Sequence, residues 1–277
     1  MQLLIENGAD VNAQGGQLGN ALQAASYGGH EEIAKLLLKN GADLNANQGN
    51  QANALQAASY MGHEAVERVL LEKGTDVNTK GGEYGNALQA ASHGGHHAIV
   101  ALLIENGADI HAQGGEYGNA LQAACHGANS TLIWQLTVMG AGGHEAIAKL
   151  LLEKGADVNA QGGKYGNALQ AASNAGHQAI VKLLIEKGAD INAQGGQYGN
   201  ALQAASNEGH KSIVKLLIEK GSDVNAQGGQ YGSALQAASY EGYGSIPQLL
   251  IEYGADVNAQ GGREVWKCTP SSITWRL

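Results

Sequence analysis

The chain contains no phenylalanine, two prolines and two cysteines among its 277 residues. Without phenylalanine, a buried core must be built from leucine, isoleucine, valine and alanine packed at short range. Cys125 and Cys268 lie far apart and form neither a disulfide framework nor a Cys-x-x-Cys metal motif. This cysteine usage is typical of a reducing compartment, so we expect a cytoplasmic location and leave the nucleus open.

Basic residues are also scarce, with 16 Lys and Arg against 25 Asp and Glu and a formal net charge of −9. Surfaces that bind nucleic acids or anionic membranes need clustered positive charge, so the composition argues against both kinds of partner. No apolar run approaches the roughly 20 residues of a membrane-spanning helix. Residues 1–6 lack the order of basic, apolar and small residues that marks a signal peptide.

Glycine, by contrast, is abundant at 42 residues, and much of it belongs to a repeated segment. Residues 155–173 read Gly-Ala-Asp-Val-Asn-Ala-Gln-Gly-Gly-Lys-Tyr-Gly-Asn-Ala-Leu-Gln-Ala-Ala-Ser, and close copies recur along almost the whole chain. Successive copies start 33 residues apart, except for one interval of 48. The copies start at Gly8, Gly41, Gly74, Gly107, Gly155, Gly188, Gly221 and Gly254. A fixed period of this length predicts a solenoid in which each repeat contacts only its neighbours.

Each repeat is predicted to contain two short helices and a glycine-rich finger. Asn167 should cap the helix Ala-Leu-Gln-Ala-Ala-Ser, because its side-chain oxygen can accept an unpaired N–H of the first turn. After a turn at 176–177, residues 178–187 carry apolar side chains at helical spacing and predict the second helix. Gly188 suits the left-handed position that ends a helix, and the glycines of 195–199 predict a short β-hairpin finger. Neither helix can bury its apolar face alone, whereas stacked copies can.

This repeat resembles the ankyrin repeat, which has a 33-residue period and a Thr-Pro-Leu-His start. The start here is Asn-Ala-Leu-Gln, as at 167–170, so an Asn cap and a Gln amide stand where the family has Thr and His. The Gly-His turn, the leucine-rich second helix and Gly-Ala-Asp-Val-Asn-Ala also match. The resemblance implies an all-α solenoid of stacked helix-turn-helix repeats with β-hairpin fingers and no catalytic activity. The Asn-Ala-Leu-Gln-Ala-Ala-Ser variant is also similar to the C-terminal ankyrin arrays of fungal NACHT-type receptor proteins.

We predict that the array spans residues 1–262 and that residues 263–277 form an irregular tail. A half repeat at 1–7 precedes seven helix pairs, which start from residue 20 onward. Two interpretations follow. The array is a monomeric interaction module, or it is a fragment of a larger NACHT-type sensor of the innate-immunity or heterokaryon-incompatibility kind, with no ligand of its own.

The fourth helix pair carries 15 extra residues, 128–142, in the turn between its two helices. Removing them restores the Gly-Gly-His turn of the other repeats. The segment is rich in apolar residues and includes Trp134. It is either an in-frame intron retained in the gene model or a loop that anchors a partner through Trp134, since tryptophan is a favoured interface residue.

The sequence contains no residue pattern expected of an enzyme, a metal site or a cofactor site. His93, His96 and His97 lack further ligands at suitable spacing for zinc. His96 belongs to a histidine that recurs in the turn of the repeats, which indicates a structural role. Cys125 replaces a repeated serine and has no His–acid partner pattern of a nucleophile, so we expect it to be buried. The fingers lack the Gly-x-x-x-x-Gly-Lys-Ser/Thr pattern of a phosphate loop.

Positions that differ between copies are expected to lie on the surface and to bind a partner protein. The ankyrin resemblance implies that finger tips and the ends of the first helices together line a concave binding face, where tyrosine is favoured. Neutral drift at solvent-facing positions is the alternative. Together with the tyrosine that follows the variable finger position, the finger set is Glu83, Tyr84, Glu116, Tyr117, Lys164, Tyr165, Tyr198 and Tyr231. The helix-end set is Tyr27, Tyr60, His93, Asn174, Asn207, Glu208, Tyr240 and Glu241.

Overall fold

The computed structural model describes residues 1–47, 52–127 and 140–259. They fall into two compact bodies, an N-terminal body of Met1–Ala156 and a C-terminal body that starts at Asp157. The predicted tail lies outside the described residues, and so do Trp134 and all but the last three residues of the predicted insert.

In the described part of the N-terminal body, a single helix, α1, is followed by helices that come in pairs. The described helices of the C-terminal body are also paired. The helices of the N-terminal body are α1 Gln2–Glu6, α2 Ala21–Tyr27, α3 Glu31–Lys39, α4 Ala54–Met61, α5 Glu64–Glu72, α6 Ala87–Gly94, α7 His97–Glu105, α8 Ala120–His126 and α9 Gly140–Glu153. Those of the C-terminal body are α10 Ala168–Ala175, α11 Gln178–Glu186, α12 Ala201–Asn207, α13 Lys211–Glu219, α14 Ala234–Tyr240 and α15 Ser245–Glu252. Helix α9 begins at Gly140, so its first turn overlaps the end of the predicted insert.

The first helix of each pair is short, rich in alanine and almost entirely buried. In α10, for example, Leu169, Ala171 and Ala172 are all buried. The small alanine side chains let α10 pack directly on α12, and the same contact recurs between α4 and α6 and between α6 and α8. Burial against the neighbouring repeat stabilises helices that are too short to form alone.

The predicted asparagine caps are confirmed. The side chain of Asn167 accepts a hydrogen bond from the backbone N–H of Gln170 at 2.9 Å, and the Gln170 side chain accepts one from the backbone N–H of Asn167. This reciprocal capping box satisfies two N–H groups that the first turn of a helix leaves unpaired. The equivalent caps are Asn20, Asn53, Asn86, Asn119, Asn200 and Ser233.

The Asn167→Ala variant is expected to lose about 1 kcal/mol of unfolding free energy, because it leaves a buried N–H of α10 without its acceptor. Urea unfolding followed by circular dichroism measures the loss. Lys182→Ala, at an exposed position of α11, is the control and should cost less than about 0.5 kcal/mol. Equal losses in the two variants would mean that the Asn167 side chain does not hold the start of α10.

The second helix buries one apolar stripe and ends at a left-handed glycine. In α11, Ile180, Val181 and Leu184 are buried while Lys182 is exposed. The helix ends at Glu186, one residue before the predicted end, and Gly188 follows with a φ of 87°. The predicted C-terminal glycine is therefore confirmed, because a residue with a side chain is strained at this φ.

Each described finger is a tight reversal closed by a single β-bridge, as between Gly195 and Gly199. Adjacent fingers are joined through their backbones, since the N–H of Gln197 donates to the carbonyl of Lys164 at 2.9 Å. Gly196, with a φ of 62°, lies against the preceding finger, where a side chain would collide with the backbone of Tyr165. Glycine is required there because the fingers stack backbone to backbone.

Polar side chains connect consecutive repeats at fixed positions. The Gln170 amide donates to the carbonyls of Ala193, Gly195 and Gly199 in the next repeat, at 3.2, 3.3 and 2.9 Å. The Asn159 side chain donates to the Gly188 carbonyl and accepts from the N–H of Asp190. The glutamine and asparagine thus couple each repeat to the next with directional bonds as well as apolar contacts.

Candidate protein-binding surface

Within each body, the structure brings the finger residues and the helix-end residues onto one surface, which we call the finger face. In the N-terminal body the ring of Tyr84, on a finger, lies 4.7 Å from that of Tyr60 and 5.2 Å from that of His93, both at ends of first helices. Tyr117, on the next finger, lies 4.6 Å from His93 and 5.2 Å from His126 between ring centroids. We call these five rings the aromatic ladder.

The expectation that the predicted binding residues all lie on the surface is wrong. Tyr84, His93 and Tyr117 are 5%, 4% and 7% exposed, because each finger closes over the ends of two first helices and the rings fill the gap. Tyr165, Asn174 and Asn207 of the C-terminal body are buried for the same reason. Their role in partner binding stays a prediction. A partner could contact only the narrow exposed edge of each side chain.

The rest of the predicted set is accessible to different degrees. Glu83, Lys164, Glu208, Tyr240 and Glu241 are exposed, with Tyr240 59% exposed. Tyr27, Tyr60, Glu116, Tyr198 and Tyr231 are half-buried. Trp134 lies outside the described residues.

Burial and negative charge control the electrostatics of the aromatic ladder. Burial, with help from the hydroxyl of Tyr60 and the carboxylate of Glu83, raises the pKa of Tyr84. Burial together with Glu116 and Glu83 raises the pKa of Tyr117. Burial lowers the pKa of His93 to about 3, so its imidazole is neutral at physiological pH. The charged side chains at the finger tips of Tyr84 and Tyr117 are therefore Glu83 and Glu116.

The finger face of the C-terminal body has a different polar pattern. The ammonium of Lys164 lies 5.6 Å from the ring centroid of Tyr165, in cation–π range. At the helix ends, the Asn174 amide donates to the Glu208 carboxylate at 3.2 Å. The next two fingers carry glutamines, and the amide of Gln197 donates to Gln230 at 3.0 Å.

The structural role predicted for the turn histidine is confirmed. Nε2 of His63, His96 and His210 lies 3.0, 2.9 and 2.9 Å from the carbonyl oxygens of Tyr27, Tyr60 and Asn174. Each imidazole N–H donates to the end of a first helix in the preceding repeat, where carbonyls lack helical partners. Burial lowers the pKa of His96, which favours the neutral ring.

The described residues contain no group of three or more His, Cys, Asp or Glu side chains that could hold a metal ion. Cys125 is fully buried, as expected, and burial raises the pKa of its thiol. A buried, protonated thiol is a poor nucleophile.

Sequence reasoning missed two residues that the structure singles out. His126 is part of the aromatic ladder but was not in the predicted set. Glu67, on α5, is 0% exposed, and burial raises its pKa to about 8. A comparison of the copies would have found Glu67, because its slot holds an apolar residue in the other complete repeats. Those residues are Ala34, Val100, Ala148, Val181, Val214 and Pro247.

The comparison that decides the family is a match to the sequence pattern described as "Ankyrin repeats (3 copies)". It covers residues 1–81, 87–195 and 169–261. The chain belongs to the ankyrin-repeat family. The described ankyrin repeats are also similar to the crystal structure of the human ASB11 ankyrin repeat domain, with a TM-score of 0.65 and 24% identity over 86% of this chain and 99% of that one. The predicted all-α ankyrin solenoid is therefore confirmed.

No curated protein matches the chain. Among the described residues, no helix combines the length and apolar character needed to cross a membrane. Ankyrin repeats generally mediate protein–protein interactions and typically have no enzymatic activity.

Proposed function

We propose that the chain is a non-catalytic module that binds another protein along its finger face, the concave face of an ankyrin array. One observation carries the proposal. The repeats share most of the residues that build helices, turns and core, whereas two sets of positions that differ between repeats, at the finger tips and at the ends of the first helices, lie together on one face of each body. The exposed members of these sets, such as Glu83, Lys164 and Glu208, are the ones that can adapt to a partner.

The exposed part of the finger face gives the partner both polar and aromatic contacts. Glu83, Glu208 and Glu241 are charged and exposed, and Tyr240 offers a large ring with a polar tip. The stacked rings beneath them hold the finger tips in place, because buried aromatic side chains add stacking energy to apolar burial. A pre-ordered surface loses less conformational entropy when it binds.

The charge-reversed triple variant Glu83→Arg, Glu208→Arg and Glu241→Arg is expected to lose the partner that the wild-type chain captures from cells of its source. Quantitative mass spectrometry of affinity-captured proteins measures this, and we expect recovery to fall at least tenfold. The matched control reverses three exposed glutamates at the ends of second helices, Glu72, Glu186 and Glu219, and should keep the partner.

Capture of the same partner by both triple variants would refute the finger face as the interface. The alternative is that the chain is a fragment of a NACHT-type sensor with no ligand of its own. In that case no specific partner is captured in any of these experiments. Sequencing the full-length transcript tests that alternative independently.

A further inference from the structure

The first observation is a reversal of charge at one slot of the finger. In the C-terminal body this slot holds Lys164, whose ammonium lies 5.6 Å from the ring centroid of Tyr165. In the N-terminal body the slot holds Glu83 and Glu116, each followed by the equivalent tyrosine. One finger therefore supplies a cation to its own tyrosine, whereas these two present an anion beside theirs.

The second observation is that the two anions act on one continuous surface. The backbone N–H of Glu116 donates to the carbonyl of Glu83 at 2.8 Å, which fixes the two finger tips side by side. Glu83 raises the pKa of both Tyr84 and Tyr117, so its negative field extends over two repeats of the aromatic ladder. Lys80 precedes the Gly81–Gly85 bridge, outside the tip that carries Glu83.

The third observation is the spacing of the aromatic ladder. The ring centroids of Tyr84 and Tyr117 are 6.1 Å apart, and those of Tyr60 and His93 are 6.0 Å apart. In an extended peptide, side chains on the same side recur every second residue, about 6.6 Å apart. An extended chain laid along the finger tips would therefore bring residues i and i+2 to consecutive repeats.

From these observations we propose that the finger face of the N-terminal body binds an extended segment of its partner with basic side chains at alternate positions. The inference rests on the proposed function and specifies its partner. Arginine or lysine side chains would pair with Glu83 and Glu116 while their stems lie along the edge of the aromatic ladder. Arginine is the better fit, because its planar guanidinium can donate two parallel hydrogen bonds to one carboxylate.

Selection from a phage-displayed library of random 12-residue peptides tests the proposal against the full chain. We expect the enriched peptides to carry a net positive charge and basic residues at alternate positions. Fluorescence anisotropy of an enriched, labelled peptide should show about tenfold weaker binding to the Glu83→Gln, Glu116→Gln double variant. Binding should also weaken from low to high salt, because exposed charges are screened.

The control removes the same number of charges from the same body, through Glu72→Gln and Glu105→Gln at exposed ends of second helices. It should leave the peptide affinity unchanged. Because Glu116 is half-buried, Glu83→Gln alone provides a second test, with an expected loss of about threefold and an unchanged circular dichroism spectrum.

Two results would overturn the inference and distinguish it from the proposed function. In the first, the enriched peptides are neutral or acidic, and their binding is weakened by Tyr60→Ala but not by the Glu83 and Glu116 substitutions. This result would refute the basic segment but keep the finger face as a binding surface. A selection that enriches no peptide, or only peptides insensitive to every finger-face substitution, would count against both.

Discussion

Replacing Glu67 by valine is expected to stabilise the N-terminal body at pH 8 by on the order of 3–5 kcal/mol. The carboxyl of Glu67 is fully buried on α5, and burial raises its pKa to about 8. Valine occupies the equivalent buried slot at Val100 of the next repeat, so the fold already accommodates it. The substitution removes the free-energy cost of keeping this carboxyl protonated, or of ionising it in an apolar core, at a pH where the unfolded chain releases the proton.

The sign of the pH dependence follows from the protons bound in each state. The unfolded chain releases the Glu67 proton near pH 4.5, whereas the folded protein keeps it up to about pH 8. Between these values the folded state binds more protons, so its stability falls as the pH rises and is constant above and below this window. Ser59 Oγ lies 2.7 Å from Leu55 O and 2.9 Å from Glu67, and the hydroxyl has one hydrogen to donate. Ionised Glu67 therefore competes with a helix carbonyl for that hydrogen.

Urea unfolding at pH 5, 6.5 and 8 measures the effect by circular dichroism. We expect the wild-type midpoint to fall with pH across this range relative to that of Glu67→Val. Glu67→Gln should also lose this dependence while its amide keeps a hydrogen bond to Ser59. Glu72→Gln, at the exposed end of the same helix, is the matched control and should follow the wild type. Parallel curves for the wild type and Glu67→Val would show that Glu67 is ionised in the folded protein.

The Gln170→Ala variant is expected to lose on the order of 3 kcal/mol of unfolding free energy. Its amide donates to three carbonyls of the following repeat and accepts from the backbone N–H of Asn167. Alanine leaves that buried N–H without its acceptor and opens a gap between α10 and the following finger. A buried donor without a partner costs more than the hydrogen bond contributes when it is made.

Gln178→Ala is the matched control, because it removes the same side chain from an exposed position at the start of α11. It should cost less than about 0.5 kcal/mol. Differential scanning calorimetry and urea unfolding of the two variants measure the difference. Similar losses would mean that the contacts between repeats depend on apolar burial alone and that the glutamine amide is dispensable.

The local structure of a repeat could be predicted because its causes lie within a few residues of each other. Asn167 and Gln170 are three residues apart, and the cap they form needs only the first turn of a helix. Gly188 ends α11 because of its own backbone freedom. The end of α11 was missed by one residue because Lys187 has no side-chain signal that separates the last turn from the cap.

The candidate surface was predicted less well because its geometry depends on neighbouring repeats. His93 differs between copies, and its variability was read as exposure, while the recurring finger tyrosine at Tyr84 was read as an exposed anchor. Their burial follows from the distance between consecutive fingers, which no single repeat encodes. Glu67 carried a readable signal, a charged residue in an apolar slot, but recognising it required aligning second helices as well as fingers.

The constant sequence offset between residues that are hydrogen-bonded across repeats also affects how the array can gain or lose repeats during evolution. Gln170 bonds residues 23, 25 and 29 positions ahead of it, and Gln203 repeats the same offsets. Unequal crossing-over between two such repeats adds or removes one complete period, so each glutamine in the product still meets the carbonyls it needs. An array of this kind can change its length within a lineage without passing through unfolded intermediates. Each new copy then brings a finger tip whose side chains are free to diverge.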